Sequence, residues 1–349
     1  MTNGGALQRF RSGCVIPAHP LAVDADRRLD ERRQRALSRY YLEAGAGGLA
    51  VAVHTTQFAL HEPERGLLAP VLGLAAEVAG EYPGEAPILI AGLTGPTAQA
   101  VAEAELAASL GYDLTLLSPY NVGDQSEDAL LERARAVGEV LPVIGFYLQP
   151  AVGGRVLSRD FWRRLAALDC VAGIKVAPFD RYATLDVVLG VRESGRAGEL
   201  ALYTGNDDHI VLDLITSYRA PGTTKPDLAF VGGLLGQWSV WVREAVEMLG
   251  DAELARGGDD DALRRLLAVE PELTDANAAV FDVANDFRGC IPGIHEVLRR
   301  QGLLEGRWCL DPAEDLSAGQ LTELDRIWAA YPHLRDDEFV ATHLDRWLA

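Results

Sequence analysis

Lysine is almost missing from this chain of 349 residues: Lys175 and Lys225 stand against thirty arginines. Surface cations are written as arginine here, so a lysine kept inside an apolar run asks for a role a guanidinium cannot fill. No apolar stretch reaches the roughly 18 residues needed to span a bilayer, which argues against a membrane-crossing helix. The opening residues "MTNGGALQRFRSG" lack the apolar centre of a signal peptide, so a cytoplasmic chain is expected. Cysteine is scarce too. Cys14, Cys170, Cys290 and Cys309 show no metal-like pairing, and free thiols in a reducing compartment are expected. Positive charge is in deficit: a net charge of -19 argues against nucleic acid, whose affinity depends on neutralising phosphates. Neither nucleic acid nor membrane is an expected partner. With 48% apolar and 24% charged residues, the chain has ample material for a globular core.

Short runs rich in Val, Ile and Leu recur at 13–19, 48–54, 87–93, 113–119, 142–149, 171–178, 199–206 and 228–234. They are apolar on both faces, which suits parallel strands covered by helices. Between them lie segments of helical spacing, such as "LDERRQRALSRYYLEA", "PTAQAVAEAELAASL" and "SEDALLERARAVGEV". Eight strands, each followed by a helix, predict an α/β fold of the closed (β/α)8 TIM-barrel type over residues 1–235. After about residue 236 the strand runs stop, and residues 236–349 read as a C-terminal helical region. Its first helix, in "QWSVWVREAVEMLG", is expected to close the barrel. "SYRAPGTTKPD" (217–227) reads as a polar Pro/Gly loop.

In such a barrel the active site lies at the carboxyl ends of the strands. That rule separates the two lysines. Lys225 falls in a helix-to-strand loop on the far face, as a solvated loop charge. Lys175, late in the sixth strand within "VAGIKVAPFD", would point an amine into the mouth. Desolvation there lowers an amine's pKa and supplies the neutral form, which attacks a ketone to give a Schiff base. The second strand ends in "HTTQ", where Thr55 and Thr56 offer hydroxyls and backbone N–H groups to a carboxylate. The fifth ends in "GFYLQP", whose Tyr147 could carry protons beside Lys175. The seventh ends in "TGNDD", where Gly205 admits a ligand close to the backbone, and the fourth in "SPYN", with Tyr120 and Asn121.

In that order the motifs resemble the dihydrodipicolinate synthase / N-acetylneuraminate lyase family of class I aldolases. The family's signatures are a G-T-T-G-E turn, a T-P-Y-Y turn, a Y-N-x-P strand end, a G-I-K-[ED] lysine and a G-x-[DE] turn. The resemblance runs in register from residue 13 to about 240, and the gap of 28 residues from Tyr147 to Lys175 fits it. It implies Lys175 as the Schiff-base former with pyruvate or another 2-oxo acid, and Tyr147 as the proton shuttle. It also implies Thr55 and Thr56 as the carboxylate site, aldol cleavage or condensation or sugar-acid dehydration with an aldehyde or sugar-acid substrate, and a homo-oligomer, tetramer or dimer. No cofactor beyond the covalent imine and no metal is implied. The departures are specific. His54, Gln57 and Phe58 replace the usual glycine and glutamate around the threonines, and Asn121 replaces a second tyrosine. Val152 stands where a dihydrodipicolinate synthase carries a substrate-binding arginine; Arg155 could reach back through the two glycines. Lysine biosynthesis is therefore not the expected role, while the imine-forming core is intact.

Two other readings stay open: a retired barrel that binds a 2-oxo acid without turnover, and a divalent-metal barrel using Asp207, Asp208 and His209. The simpler reading of Asp207 and Asp208 is as cap and dipole partners at a helix start. His19 and His54, both at strand ends, could line the mouth or serve as hydrogen-bonded scaffold. "GAGG" (45–48) follows a helix and precedes a strand, so it reads as a helix C-cap and not a phosphate loop. The tryptophans Trp238, Trp241, Trp308, Trp328 and Trp347 read as packing or oligomer contacts.

Overall fold

The computed structural model describes residues 4–124, 126–224 and 226–349. Lys225, read above as a loop charge, lies outside the described residues. All eight expected strands form. β1 (Val15–Pro17), β2 (Gly48–Val51), β3 (Ile88–Leu93), β4 (Leu114–Leu117), β5 (Val143–Leu148), β6 (Val171–Ala177) and β7 (Ala201–Thr204) are joined by β8 (Ser217–Arg219) and β9 (Pro226–Leu235). Parallel pairing runs β1-β9-β7-β6-β5-β4-β3-β2. The ring closes between β1 and β2 through the Ala18–Ala50 bridge and the bond from His19 N to Ala50 O (2.8 Å). The fold is a (β/α)8 barrel followed by C-terminal helices.

The "SYRAPGTTKPD" stretch corrects the loop expectation. Ser217–Arg219 pair antiparallel with β9, because Tyr218 is half-buried with its ring edge-on to Phe230 (6.2 Å). The proline and glycine supply only the hairpin's turn. The amphipathic helices start where capping side chains fall. Asp30 accepts from Arg33 N at the head of Glu31–Ala44, and Ser126 accepts from Ala129 N at the head of Glu127–Gly138. Gly45, at φ 104°, ends the former as its C-cap, as "GAGG" predicted.

Side chains alternate across each strand, so one set fills the barrel and the other packs under the helices. Ile16, Ile90, Leu116, Ile144 and Leu234 belong to the inner set. A helix the sequence reading did not anticipate, Gly4–Ser12, plugs the amino end of the barrel. Its Phe10 stacks on Tyr203 with centroids 4.6 Å apart, and the Tyr203 hydroxyl donates to Phe10 O (2.7 Å).

Beyond β9, helix Val242–Arg256 packs on β1 and on helices Glu31–Ala44 and Ile210–Ile215, completing the outer ring. Trp238, Trp241 and Trp347 are fully buried, in keeping with packing roles. Asp336 is the polar rivet between the barrel and its C-terminal helices. Buried, it accepts from the Tyr40 hydroxyl (2.7 Å), Arg243 N (3.1 Å) and Gln301 Nε2 (2.9 Å). Asp336→Ala takes the acceptor from the Tyr40 hydroxyl and Arg243 N and leaves Gln301 with Asp337 alone, and is expected to remove about 3 kcal/mol of stability. Urea unfolding of the variant against the parent measures the loss.

Candidate active site

At the carboxyl ends of the strands a cavity of about 50 Å³ encloses the end of Lys175. Its barrel walls are Ala18, Val53, His54, Thr55, Phe146, Leu148, Gln149, Val152, Ala177, Phe179, Gly205 and Asp207. Gly236, Phe281, Phe287 and Cys290 complete it from beyond β9. A larger cavity, about 500 Å³, opens at the opposite, amino-terminal face around Arg11, Asp113 and Asp169, far from the strand ends that carry chemistry in this architecture.

Lys175 reaches this cavity through its strand register. β5 and β6 pair Val143 with Val171, then slip, so that Ile144 meets Gly173 and Phe146 meets Lys175. One extra residue in β6 turns Lys175 into the barrel, where its Nζ lies 4.3 Å from the centre of the Phe146 ring. Gly205 makes room on the β7 side. A Cβ there would stand 2.8 Å from Lys175 Cε and 2.7 Å from Ala177 Cβ, so a side chain would displace the lysine. Burial lowers the Lys175 pKa from its usual value to about 8, against the pull of the Asp207 carboxylate, which favours the ammonium.

Asp207 is not a helix cap. Helix Ile210–Ile215 begins after His209, and Asp207 instead turns into the cavity with Oδ1 accepting from Gln237 N (2.8 Å). Asn277 Nδ2 holds its carbonyl (2.7 Å) from a C-terminal helix. Just before it, Asn206 is wholly buried and ties the strand exits together. It offers Oδ1 to Phe179 N and gives Nδ2 to Asp213, whose other oxygen binds Arg181. Burial raises the Asp207 carboxyl, while the Gln237 N–H and the lysine charge draw it back. Asp208 is exposed and His209 turns toward Glu270, so the three proposed metal ligands diverge. Among the described residues no three His, Cys, Asp or Glu side chains come together to hold a metal.

The threonine turn divides. Thr55 lines the cavity, with its hydroxyl donating to Ala18 O (2.7 Å). Thr56 does not reach it. Fully buried, it donates to His19 O (2.6 Å) and accepts from Val53 N, which makes it a brace for the turn. His54 lines the cavity, and burial together with the Lys175 charge lowers its pKa to about 4. His19 is scaffold: its ring nitrogens meet Pro20 O and Ser38 Oγ, both at 2.8 Å.

Other residues named from the sequence lie elsewhere than the cavity. Tyr147 pairs with Val176, one residue past the lysine, so it faces outward and packs on Trp162 (4.9 Å) in the helical layer. Burial in that layer raises the Tyr147 hydroxyl above its usual range. The 28-residue gap misled because the slip in β6 pairing makes the in-register partner of Lys175 the residue 29 before it, Phe146. Tyr120 and Asn121 are exposed outside the cavity, Tyr120 stacked on Phe58 at 4.3 Å and Asn121 at φ 53° in the turn. Val152 does line the cavity, but Arg155 does not, and its Nε and Nη1 are buried without a hydrogen-bond partner.

The roof was invisible in the sequence reading. Phe281, Phe287 and Cys290 arrive about a hundred residues after Lys175, and Phe287 stacks on Phe179 at 5.8 Å. Gln57, at the β2 exit, fastens the covering region down by accepting from Leu310 N (2.6 Å).

Because Asp207 favours the ammonium, Asp207→Asn should let Lys175 lose its proton at lower pH. Labelling of Lys175 by a small amine-reactive reagent, followed by peptide mass, should rise through about pH 8 in the parent. In the variant the rise is expected at lower pH; an unchanged midpoint would remove Asp207 as the charge partner.

Known proteins resemble this chain in sequence and in fold. The chain is 32% identical over 164 residues to uncharacterised DapA-like lyases from two strains of Halobacterium salinarum, a match covering 46% of this chain and 52% of theirs. It thus spans about half the length of the curated relatives it matches. The fold is similar to that of dihydrodipicolinate synthase from Acinetobacter baumannii complexed with pyruvate. There the TM-score is 0.73 and the identity 20%, with 91% of this chain and 98% of that one covered. It is also similar to CdNal from Clostridium difficile in complex with mannosamine, at TM-score 0.72 and 17% identity over 91% of this chain and 99% of that one. The model of the dihydrodipicolinate synthetase family matches residues 11–219, more than half of the chain, and to that family the chain belongs.

Proposed function

We propose that the protein is a class I lyase that holds a 2-oxo acid, pyruvate or a close relative, as an imine on Lys175 and makes or breaks the adjacent carbon–carbon bond. The observation that carries this reading is the buried lysine at the barrel mouth, its pKa lowered to about 8, which offers the cavity a neutral amine in a share that grows as pH rises from neutral through 8. Nζ attacks the carbonyl carbon. The carbonyl oxygen leaves as water with one amine proton and one proton from the medium, and the nitrogen keeps the other proton as an iminium. Loss of a C3 proton then sends the C–H pair into a C2–C3 double bond and the C=N pair onto nitrogen. The enamine so formed attacks an aldehyde, and hydrolysis frees a 4-hydroxy-2-oxo acid. The iminium is the electron sink for the pair left at C3.

Asp207 would keep the amine close to its working charge, and Thr55 would meet the carboxylate end by turning its hydroxyl from Ala18 O. The acceptor side of the cavity is apolar: Leu148, Val152, Phe179, Phe281 and Phe287 offer no partners for a run of hydroxyls. That favours an aldehyde with an aryl or alkyl body over a sugar acid, since hydroxyls buried without partners are costly.

Trapping with cyanoborohydride and pyruvate, read by intact mass, should give one pyruvate-sized adduct that Lys175→Ala loses. Without an adduct the imine fails. An adduct with no turnover of any aldehyde would favour the retired 2-oxo acid binder. Aryl and short alkyl aldehydes should exceed glyceraldehyde in kcat/KM by about tenfold or more.

A further inference from the structure

The imine chemistry needs a group that takes the C3 proton and returns one to the aldehyde oxygen, and the expected phenol is not in the cavity. The inward position beside Lys175 belongs to Phe146, which has no proton to give. Tyr147 faces the helical layer, its ring against Trp162. The remaining polar side chains of the cavity are His54, Thr55, Gln149, Asp207 and Cys290. Thr55 carries a hydroxyl that serves the carboxylate end, Asp207 has one oxygen on Gln237 N and is the charge partner of Lys175, and burial raises the Cys290 thiol well above its usual range. Gln149 does not titrate. His54 differs from all of these: among the described residues no protein group hydrogen-bonds its ring, which rests against Phe58 at 5.5 Å.

The turn that carries His54 is unusually well fixed. Ala52, just before it, sits at φ 61°, a left-handed conformation that a non-glycine residue adopts at a cost. His61 Nε2 holds the Ala52 carbonyl (2.9 Å), and His61 Nδ1 is held in turn by buried Glu103 (3.0 Å). Thr56 closes the turn from beneath. A ring without protein partners on so constrained a turn is placed for something that enters the cavity.

We propose that His54 is the proton carrier of the Lys175 imine, in the role that the tyrosine was expected to fill. The inference rests on the imine reading above. A neutral imidazole carries one N–H and one lone pair, so it can accept and donate within one cycle. The C3 proton passes to the bare ring nitrogen as the enamine forms. After C3 attacks the aldehyde, the imidazolium returns a proton to the new alkoxide, leaving a hydroxyl and a neutral ring. Burial beside a cation keeps the resting ring neutral, ready to accept.

The test uses the full-length protein and two readouts: cyanoborohydride trapping with pyruvate, and exchange of the pyruvate methyl protons in D₂O followed by NMR. His54→Gln should still give the trapped adduct, which also reports an intact fold, while its exchange falls about 100-fold or more. Tyr147→Phe should trap and exchange as the parent does. Added imidazole should restore part of the exchange in His54→Ala, a response that a merely structural histidine would not give. Exchange at the parental rate in His54→Gln, or its loss in Tyr147→Phe or Asp207→Asn with His54→Gln unaffected, overturns the assignment. A parent that forms no adduct at all overturns the imine itself, and His54's role with it.

Discussion

The constraint on which the site depends is a lysine amine held out of water between a phenyl face and a carboxylate. An ammonium in that position gives up hydration that the Phe146 ring only partly replaces, so its proton is weakly held. Asp207 keeps the cost bearable, and its own burial is made tolerable by Gln237 N and the lysine charge. Each group is acceptable inside the barrel because the other is there. Gly205 is the spatial counterpart of this balance, since the lysine's methylenes pass through the volume where any side chain at that position would lie.

Around this pair the strands behave as girders whose faces are set by register. A single slip between β5 and β6 decides which way Lys175 looks. Without it, Lys175 would face outward beside Tyr147, whose phenol packs under helix Arg159–Ala166; with it, the amine faces inward beside Phe146. One residue of pairing thus decides whether the amine reaches the cavity. His54, at the β2 exit, lines the same cavity as that amine.

Much of this was legible in the chain. Eight short apolar runs gave the barrel, because strands buried on both faces leave an unmistakable pattern. Lys175 was legible because lysine is so rare here and because its flanks are apolar. Gly205 and Thr55 followed from lying at strand ends. Tyr147 was misplaced because spacing along the chain cannot reveal a bulge in pairing with a neighbour. Tyr120 and Asn121 were named from a motif, yet Asn121's left-handed backbone turns that stretch outward. Helix Gly4–Ser12 was missed because its burial rests chiefly on Ala6 and Phe10. Asp207 was read through its local helix start, while its real partners, Gln237 and Asn277, come from thirty and seventy residues further on.

The roof lends the molecule a division of labour. Lys175, Gly205, Asp207 and His54 fall within the stretch shared with the family, whereas Phe281, Phe287 and Cys290 lie beyond it. Lys175 with its charge partner, and the apolar roof above them, are therefore written in separate stretches of the chain. Selection, or an engineer, can exchange the tail like the jaw of a wrench and reshape the cover of the cavity while the handle stays untouched.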